Sequence, residues 1–246
     1  MLIVGPAGSG KTTTLYACLR EVIAHSRGER SVVSLEDPIE VALPGVAQSQ
    51  VNAASGFDLA RALKSLMRQD PEVIAIGEIR DPDSASTAFE AALTGQLVVS
   101  TFHAGSAAES IGRLLDLGLE PYVLRSGLRA VLHQRLVRRL CVCAQPLNDP
   151  VDWLGLPVRQ ASGPTGCPVC QGTGYHGRML LTEWLELTNS GMIRAILDRA
   201  DVPTIEHAAI AGGMTTRWAT ALEAVEAGST SPAEVRRVLG LGAPQS

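Results

Sequence analysis

The chain has 246 residues, 46% of them hydrophobic, with a net charge of −4 and five cysteines. That size and apolar content suit one globular core, or one core with small appendages; the acidic balance and the 4% aromatic content disfavour a nucleic-acid surface built on basic patches or base stacking. No apolar run approaches the ~18 residues of a membrane span, and the loop at residues 5–12 interrupts the apolar start, so the expectation is a cytosolic chain without a signal segment or direct membrane insertion.

Along the chain, residues 2–4, 32–35, 73–76 and 97–101 are short apolar runs, each followed by polar or glycine-containing turn residues. Helical patterns lie between them. Leu59, Leu63, Leu66 and Met67 recur at helical spacing. Asp83 or Ser84 is placed to cap an alanine-rich helix that ends near Gly95. Strands alternating with helices predict an α/β fold with a largely parallel sheet and right-handed crossovers. Residues 106–117 and 121–140 read as two further helices, punctuated by Gly118 and Pro121. Composition shifts at Cys141: residues 141–178 hold four of the five cysteines, with many prolines and glycines, and such a stretch needs a staple. The remainder reads as helical. Ser231-Pro232-Ala233-Glu234 is a capping box with proline at the first helical position, and residues 242–246 read as a frayed tail. The expected division is therefore 1–140, 141–178 and 179–246.

Gly5-Pro6-Ala7-Gly8-Ser9-Gly10-Lys11-Thr12, followed by Thr13, fits G-x-x-x-x-G-K-[ST] without a mismatch. The glycines let successive N–H groups turn toward a phosphate, and the helix that follows adds its positive end. In such a loop Lys11 reaches the β- and γ-phosphates of ATP and the Thr12 hydroxyl ligates Mg²⁺. A phosphate site of this kind needs an acid at a neighbouring strand end. Gly77-Glu78 ends the run at 73–76, with glycine where an aspartate is usual. Glu36, Asp37 and Glu40 follow the run at 32–35, with Pro38 stiffening the turn, and His103 ends the run at 97–101. Taken singly, the acidic loop reads as a solvated turn and the histidine as a packed or capping residue. Three polar clusters, each at a strand's carboxyl end, would share one crevice in an open α/β sheet, which favours a site.

These stretches, in this order, resemble the ATPases of type II secretion and type IV pilus assembly, the GspE/PilB branch of the secretion superfamily. GPAGSGKTTTLY is similar to that family's Walker A, EDPIE with GVAQSQVN to its aspartate box, LMRQDPEVIAIGEIRD to its Walker B, and ALTGQLVVSTFHA to its histidine box. VLHQRLVRRLC and GTGYHGR are similar to the tract around its zinc site. The resemblance implies a RecA-like P-loop NTPase core, a cysteine-rich zinc-type insert and a helical C-terminal subdomain. It implies a hexameric motor peripheral to the cytoplasmic face of the inner membrane, working with platform proteins of a secretion or pilus machine and not with nucleic acid. By the same resemblance Glu78 positions or polarises the attacking water, Glu40 is favoured over Glu78 as general base, and Glu36 and Asp37 complete the aspartate box. His103 senses the γ-phosphate.

Two departures qualify the match. The family places a domain pair before its Walker A strand, with arginines that reach the phosphates, so this chain is expected to be a fragment or a split gene and weak in turnover alone. Arg80, Arg113 and Arg135 are then candidates for residual charge stabilisation or for ion pairs. The metal site is expected from Cys141, Cys143, Cys167 and Cys170. Its proximal pair is C-x-C rather than C-x-x-C, which leaves Zn²⁺ or free thiols as alternatives. Cys18 reads as a core residue. Pilus retraction, DNA translocation and a nucleotide-binding regulatory fragment without turnover are the competing readings.

Overall fold

The computed structural model describes residues 1–52 and 58–242, so the predicted tail lies, from 243 onward, outside the described residues. Strands β1 (Leu2–Val4), β2 (Val32–Glu36), β3 (Ala47–Gln50), β4 (Val73–Ile76) and β5 (Leu97–Phe102) are joined by the longer β6 (Ala130–Leu140). A small antiparallel ribbon of β7 (Gln145–Pro146) and β8 (Ser162–Gly163) follows, and then β9 (Tyr175–Glu186). The main sheet has seven strands in the order β3-β2-β4-β5-β1-β6-β9. Pairing is parallel for β1 with β5 and β6, for β2 with β3 and β4, and for β4 with β5.

The apolar runs read from the sequence are unbroken because both faces of the central strands are covered. Leu2, Val4, Val33, Leu35, Ile74, Ile76 and Val98 pack into one buried cluster, whereas Ile3, Val32, Val73, Ala75 and Val99 pack into another. Successive residues alternate between the two clusters with the two-residue period of a strand. Leu15, Tyr16 and Leu19 of α1 (Lys11–Ser26) complete the second cluster. The first takes its helical residues from α2 (Leu59–Leu66), α3 (Pro82–Leu93), α4 (Ala107–Asp116), α5 (Pro121–Gly127), α6 (Ser190–Leu197) and α7 (Val202–Ala211). Each fully buried leucine or isoleucine contributes about 1.5–3 kcal/mol.

Three expectations are corrected. Residues 121–140 are not one helix: α5 ends at Gly127, and residues 130–140 form β6, because Leu2, Ile3 and Val4 supply a parallel ladder to Val131, Leu132 and His133. The C-terminal part is not uniformly helical either, since β9 precedes α6. Helix α3 starts earlier than expected: Asp81, not Asp83 or Ser84, is its N-cap, bonded reciprocally with Ser84 and followed by proline at the first position.

Contacts group the chain into two compact units, one of residues 1–133 with 184–214, the other of residues 134–183 with 215–246. The divisions read from composition fall at 140 and 178, whereas the limits of these units fall within β6 and β9. In the second unit, Val137, Leu156, Leu181, Trp218 and Val235 form the centre of a separate core, with α8 (Arg217–Glu226) and α9 (Pro232–Leu239). Ser231 caps α9 as expected, accepting from the Glu234 N–H at 3.1 Å. The other half of the predicted capping box does not form. Glu234 is fully buried and accepts instead from the Arg138 N–H and from the guanidinium groups of Arg138 and Arg237. Burial alone would raise its pKa, but the two arginines prevail and hold it at about 2.

Candidate active site

Residues 5–10 turn sharply between β1 and α1. Gly8 and Gly10 sit at φ 72° and 89°, a left-handed conformation that residues with a Cβ seldom adopt. Gly10 is the N-cap of α1 and offers no side chain to cap it, so the helix begins with N–H groups available to an anion. Lys11 is 9% exposed, and its ammonium folds back to donate to the carbonyls of Gly5 at 2.9 Å and Pro6 at 3.1 Å. Burial lowers its pKa, and the nearby Glu78 carboxylate works against that shift. Thr12 is half-buried and Thr13 exposed on the first turn of the helix; Ser9 is buried in the loop, whereas Ala7 is exposed.

The acid at the end of β4 is held by both neighbouring strands. The Gly77 N–H donates to Leu35 O at 2.8 Å, Thr101 Oγ1 donates to Gly77 O at 2.5 Å, and the Ile79 N–H donates to Thr101 O at 3.1 Å. Space at the glycine is tight: a Cβ there would lie 3.3 Å from Glu36 Cα and 3.4 Å from Leu35 O. Asp81, the N-cap of helix α3, lies three residues beyond Glu78. On the next strand His103 directly follows β5, and Ser106 caps α4 by accepting from the Glu109 N–H at 3.0 Å. Arg113 of α4 donates to His103 O at 2.5 Å and lies over the Phe102 ring, 5.4 Å from its centroid.

The side chains at these strand ends form one connected chain. Lys11 Nζ is 3.5 Å from His103 Nδ1, and His103 Nε2 is 2.7 Å from Glu78 Oε1. Glu78 Oε2 accepts from Arg80 Nε at 2.5 Å, and the Arg80 guanidinium reaches Asp37 Oδ2 at 3.5 Å. The loop lysine, the histidine and the Walker-B-like acid, read from three separate stretches, are thus brought together. Arg80 is bound within this chain of contacts, and Arg113 holds the His103 backbone carbonyl beside it. Arg135 lies in the other unit. Glu36 has a different place: it is 3% exposed, and its carboxylate accepts from Tyr16, Ser34 and Gln48. Glu40 is exposed, and its backbone N–H donates to Tyr16 Oη at 3.2 Å. Tyr16 and Gln48 were not singled out from the sequence; Tyr16 stands three residues before Leu19, at core spacing, and Gln48 lies in a polar edge strand.

In the second unit the sulfurs of Cys141, Cys143, Cys167 and Cys170 all lie within 4.8 Å of one another. A tetrahedral Zn²⁺ with sulfur bonds of about 2.3 Å has sulfur–sulfur edges of about 3.8 Å. The pairs 141–167, 143–170 and 167–170 are separated by 3.8, 3.9 and 3.8 Å, so the four residues fit that ion. The shortened C-x-C is accommodated by a tight turn in which the Ala144 N–H donates to Cys141 O at 2.9 Å. Burial opposes ionisation of Cys170, but the N–H groups of Cys167 and Gly174 point at its sulfur and, with the neighbouring thiols of Cys167 and Cys143, hold its pKa below the usual thiol range. Cys18, on α1, is half-buried. Protein purified without added zinc is expected to carry about one equivalent, and chelation to lower its melting temperature by several degrees. Metal-free protein with four freely titrating thiols in this stretch would contradict the assignment.

A mostly parallel sheet, a glycine-turned loop after its interior strand β1 and a lysine opening the next helix define a P-loop NTPase of the RecA-like kind. The family described as Type II/IV secretion system protein matches residues 1–237, and the chain belongs to it. It is 44% identical over 243 residues to a type II secretion system protein E of Pectobacterium carotovorum subsp. carotovorum, which covers 97% of this chain and 48% of that protein. It is 39% identical over 251 residues to the type IV pilus assembly ATPase TfpB of Acinetobacter baylyi, covering 98% of this chain and 42% of that protein. The chain thus spans about half the length of the curated relatives it matches. Among solved structures, the pilus retraction motor PilT with bound ADP superposes with a TM-score of 0.57 at 25% identity, over 96% of this chain and 62% of that one. No helix among the described residues is long and apolar enough to cross a membrane.

Proposed function

We propose that this chain binds and hydrolyses ATP with Mg²⁺ and is the motor part of a type II secretion or type IV pilus assembly machine. It would act as a homo-oligomer at the cytoplasmic face of the inner membrane, against platform proteins. The observation that carries the reading is the run Lys11–His103–Glu78 beneath a glycine-turned loop. Lys11 has bonds to Gly5 and Pro6 that a phosphate can replace. On that exchange its ammonium moves from neutral carbonyls to an anion, which strengthens each bond. Thr12 offers a hard oxygen donor, which suits Mg²⁺; the ion would neutralise phosphate charge.

His103 stands between the lysine and the acid, so it can answer the γ-phosphate and pass its presence to Glu78. Glu78 is the better placed acid to orient water: it is joined to His103, whereas Glu40 enters through its backbone and its side chain is exposed. The higher identity to secretion and pilus assembly proteins than to PilT favours an assembly or secretion motor over a retraction motor. Calorimetric titration with ATP is expected to show one site per chain that weakens when Mg²⁺ is chelated. No heat of binding with or without Mg²⁺ would overturn the reading.

A further inference from the structure

Glu36 is a buried carboxylate that the proposed hydrolysis does not use, and its surroundings suggest what it does. Tyr16, on the helix that opens with Lys11, is 4% exposed and donates its hydroxyl proton to Glu36 Oε2. The same oxygen of Tyr16 accepts the Glu40 N–H at 3.2 Å. Ser34 Oγ and Gln48 Nε2 donate to Glu36 Oε1 at 2.6 and 2.9 Å. Gln48 in turn takes the Leu43 N–H at 2.7 Å and gives to Val41 O at 3.1 Å, while Gln50 Oε1 takes the Ile39 N–H at 3.3 Å. Every one of these bonds to the 39–43 segment is to its backbone. The segment is therefore fixed in position while the carboxylates of Asp37 and Glu40 stay exposed. Asp37 meets Arg80, and Arg80 meets Glu78.

We propose that Tyr16 is a positioning residue for hydrolysis: through Glu36 and the Glu40 N–H it ties the phosphate-loop helix to the acidic loop beside Glu78. This rests on the nucleotide reading above. A tyrosine that merely filled the core would need its ring and not its hydroxyl. Here the hydroxyl supplies both a donor to a buried anion and an acceptor to the loop. Movement of α1 on phosphate binding would then be felt at Asp37 and Glu40 without any contact between those carboxylates and the loop lysine.

Tyr16→Phe keeps the ring and removes both bonds. Its kcat is expected to fall roughly tenfold to a hundredfold, the scale of a misplaced catalytic group, with KM for ATP changed less than about threefold. Backbone hydrogen exchange over residues 39–43 should quicken while β1 and β4 are unaffected. Glu36→Gln sets an NH₂ among three donors and should lower kcat similarly, and the double variant should lose less than the two single losses combined, because the two share one bond. Wild-type kcat with wild-type exchange in Tyr16→Phe, or additive losses in the double variant, would overturn the proposal. Lys11→Ala run in parallel separates the two claims. If it turns over ATP like the wild type, the nucleotide reading fails, and the exchange of residues 39–43 alone then decides the clamp.

Discussion

Lys11→Ala is expected to weaken ATP binding by about a hundredfold and to bring turnover to background. Each charge-assisted bond from an ammonium to a phosphate contributes about 1.5–3 kcal/mol, and the lysine can make two. The fold should survive the change. Lys11 is buried at some cost, seen in its lowered pKa, and the alanine removes that desolvated charge together with its two bonds to Gly5 and Pro6. The two effects oppose each other, so the melting temperature should move by a few degrees at most. Calorimetry and thermal melts on the same preparations check both statements. Equal ATP affinity in the two forms would remove Lys11 from the site.

The glycine-turned loop could be read from the sequence because its requirements are local: glycines where φ is positive, a lysine at the first helical position, an apolar strand before it. The central strands were readable for a similar reason, since burial on both faces demands continuous apolar runs. Strand β6 was misread because Leu132, Leu136 and Leu140 recur every four residues and arginine and glutamine suit helices. What makes it a strand is the ladder offered by residues 2–4, more than a hundred positions away. Strand β9 was hidden by a buried charge. Leu181, Glu183 and Leu185 alternate as a strand should, but Glu183 is paired with Arg217 at 2.7 Å, so the alternation does not look apolar. The same limit applies to the acids. Nothing in EDPIE distinguishes Glu36 from Asp37; their fates differ because Tyr16 and Gln48 arrive from other elements to enclose one of them. The four cysteines were legible as a set, while the turn that rescues C-x-C was not.

Glu78→Gln tests whether the cluster is a hydrolytic site rather than a phosphate-binding one. Glutamine has the shape of glutamate, so packing between β2 and β5 is kept, and one oxygen remains to accept a bond. What is lost is the negative charge, together with the ability to accept from Arg80 and His103 at once. A carboxylate that orients or polarises the attacking water supplies about 10²–10⁴ in rate. Removing a negative charge near the γ-phosphate should at the same time leave ATP binding equal or tighter. The decisive measurement is phosphate release from ATP·Mg, followed alongside calorimetric ATP affinity, for the wild type and Glu78→Gln on matched samples. The account predicts release lowered at least about a hundredfold with affinity retained; release at the wild-type rate from a variant that binds ATP normally would contradict it.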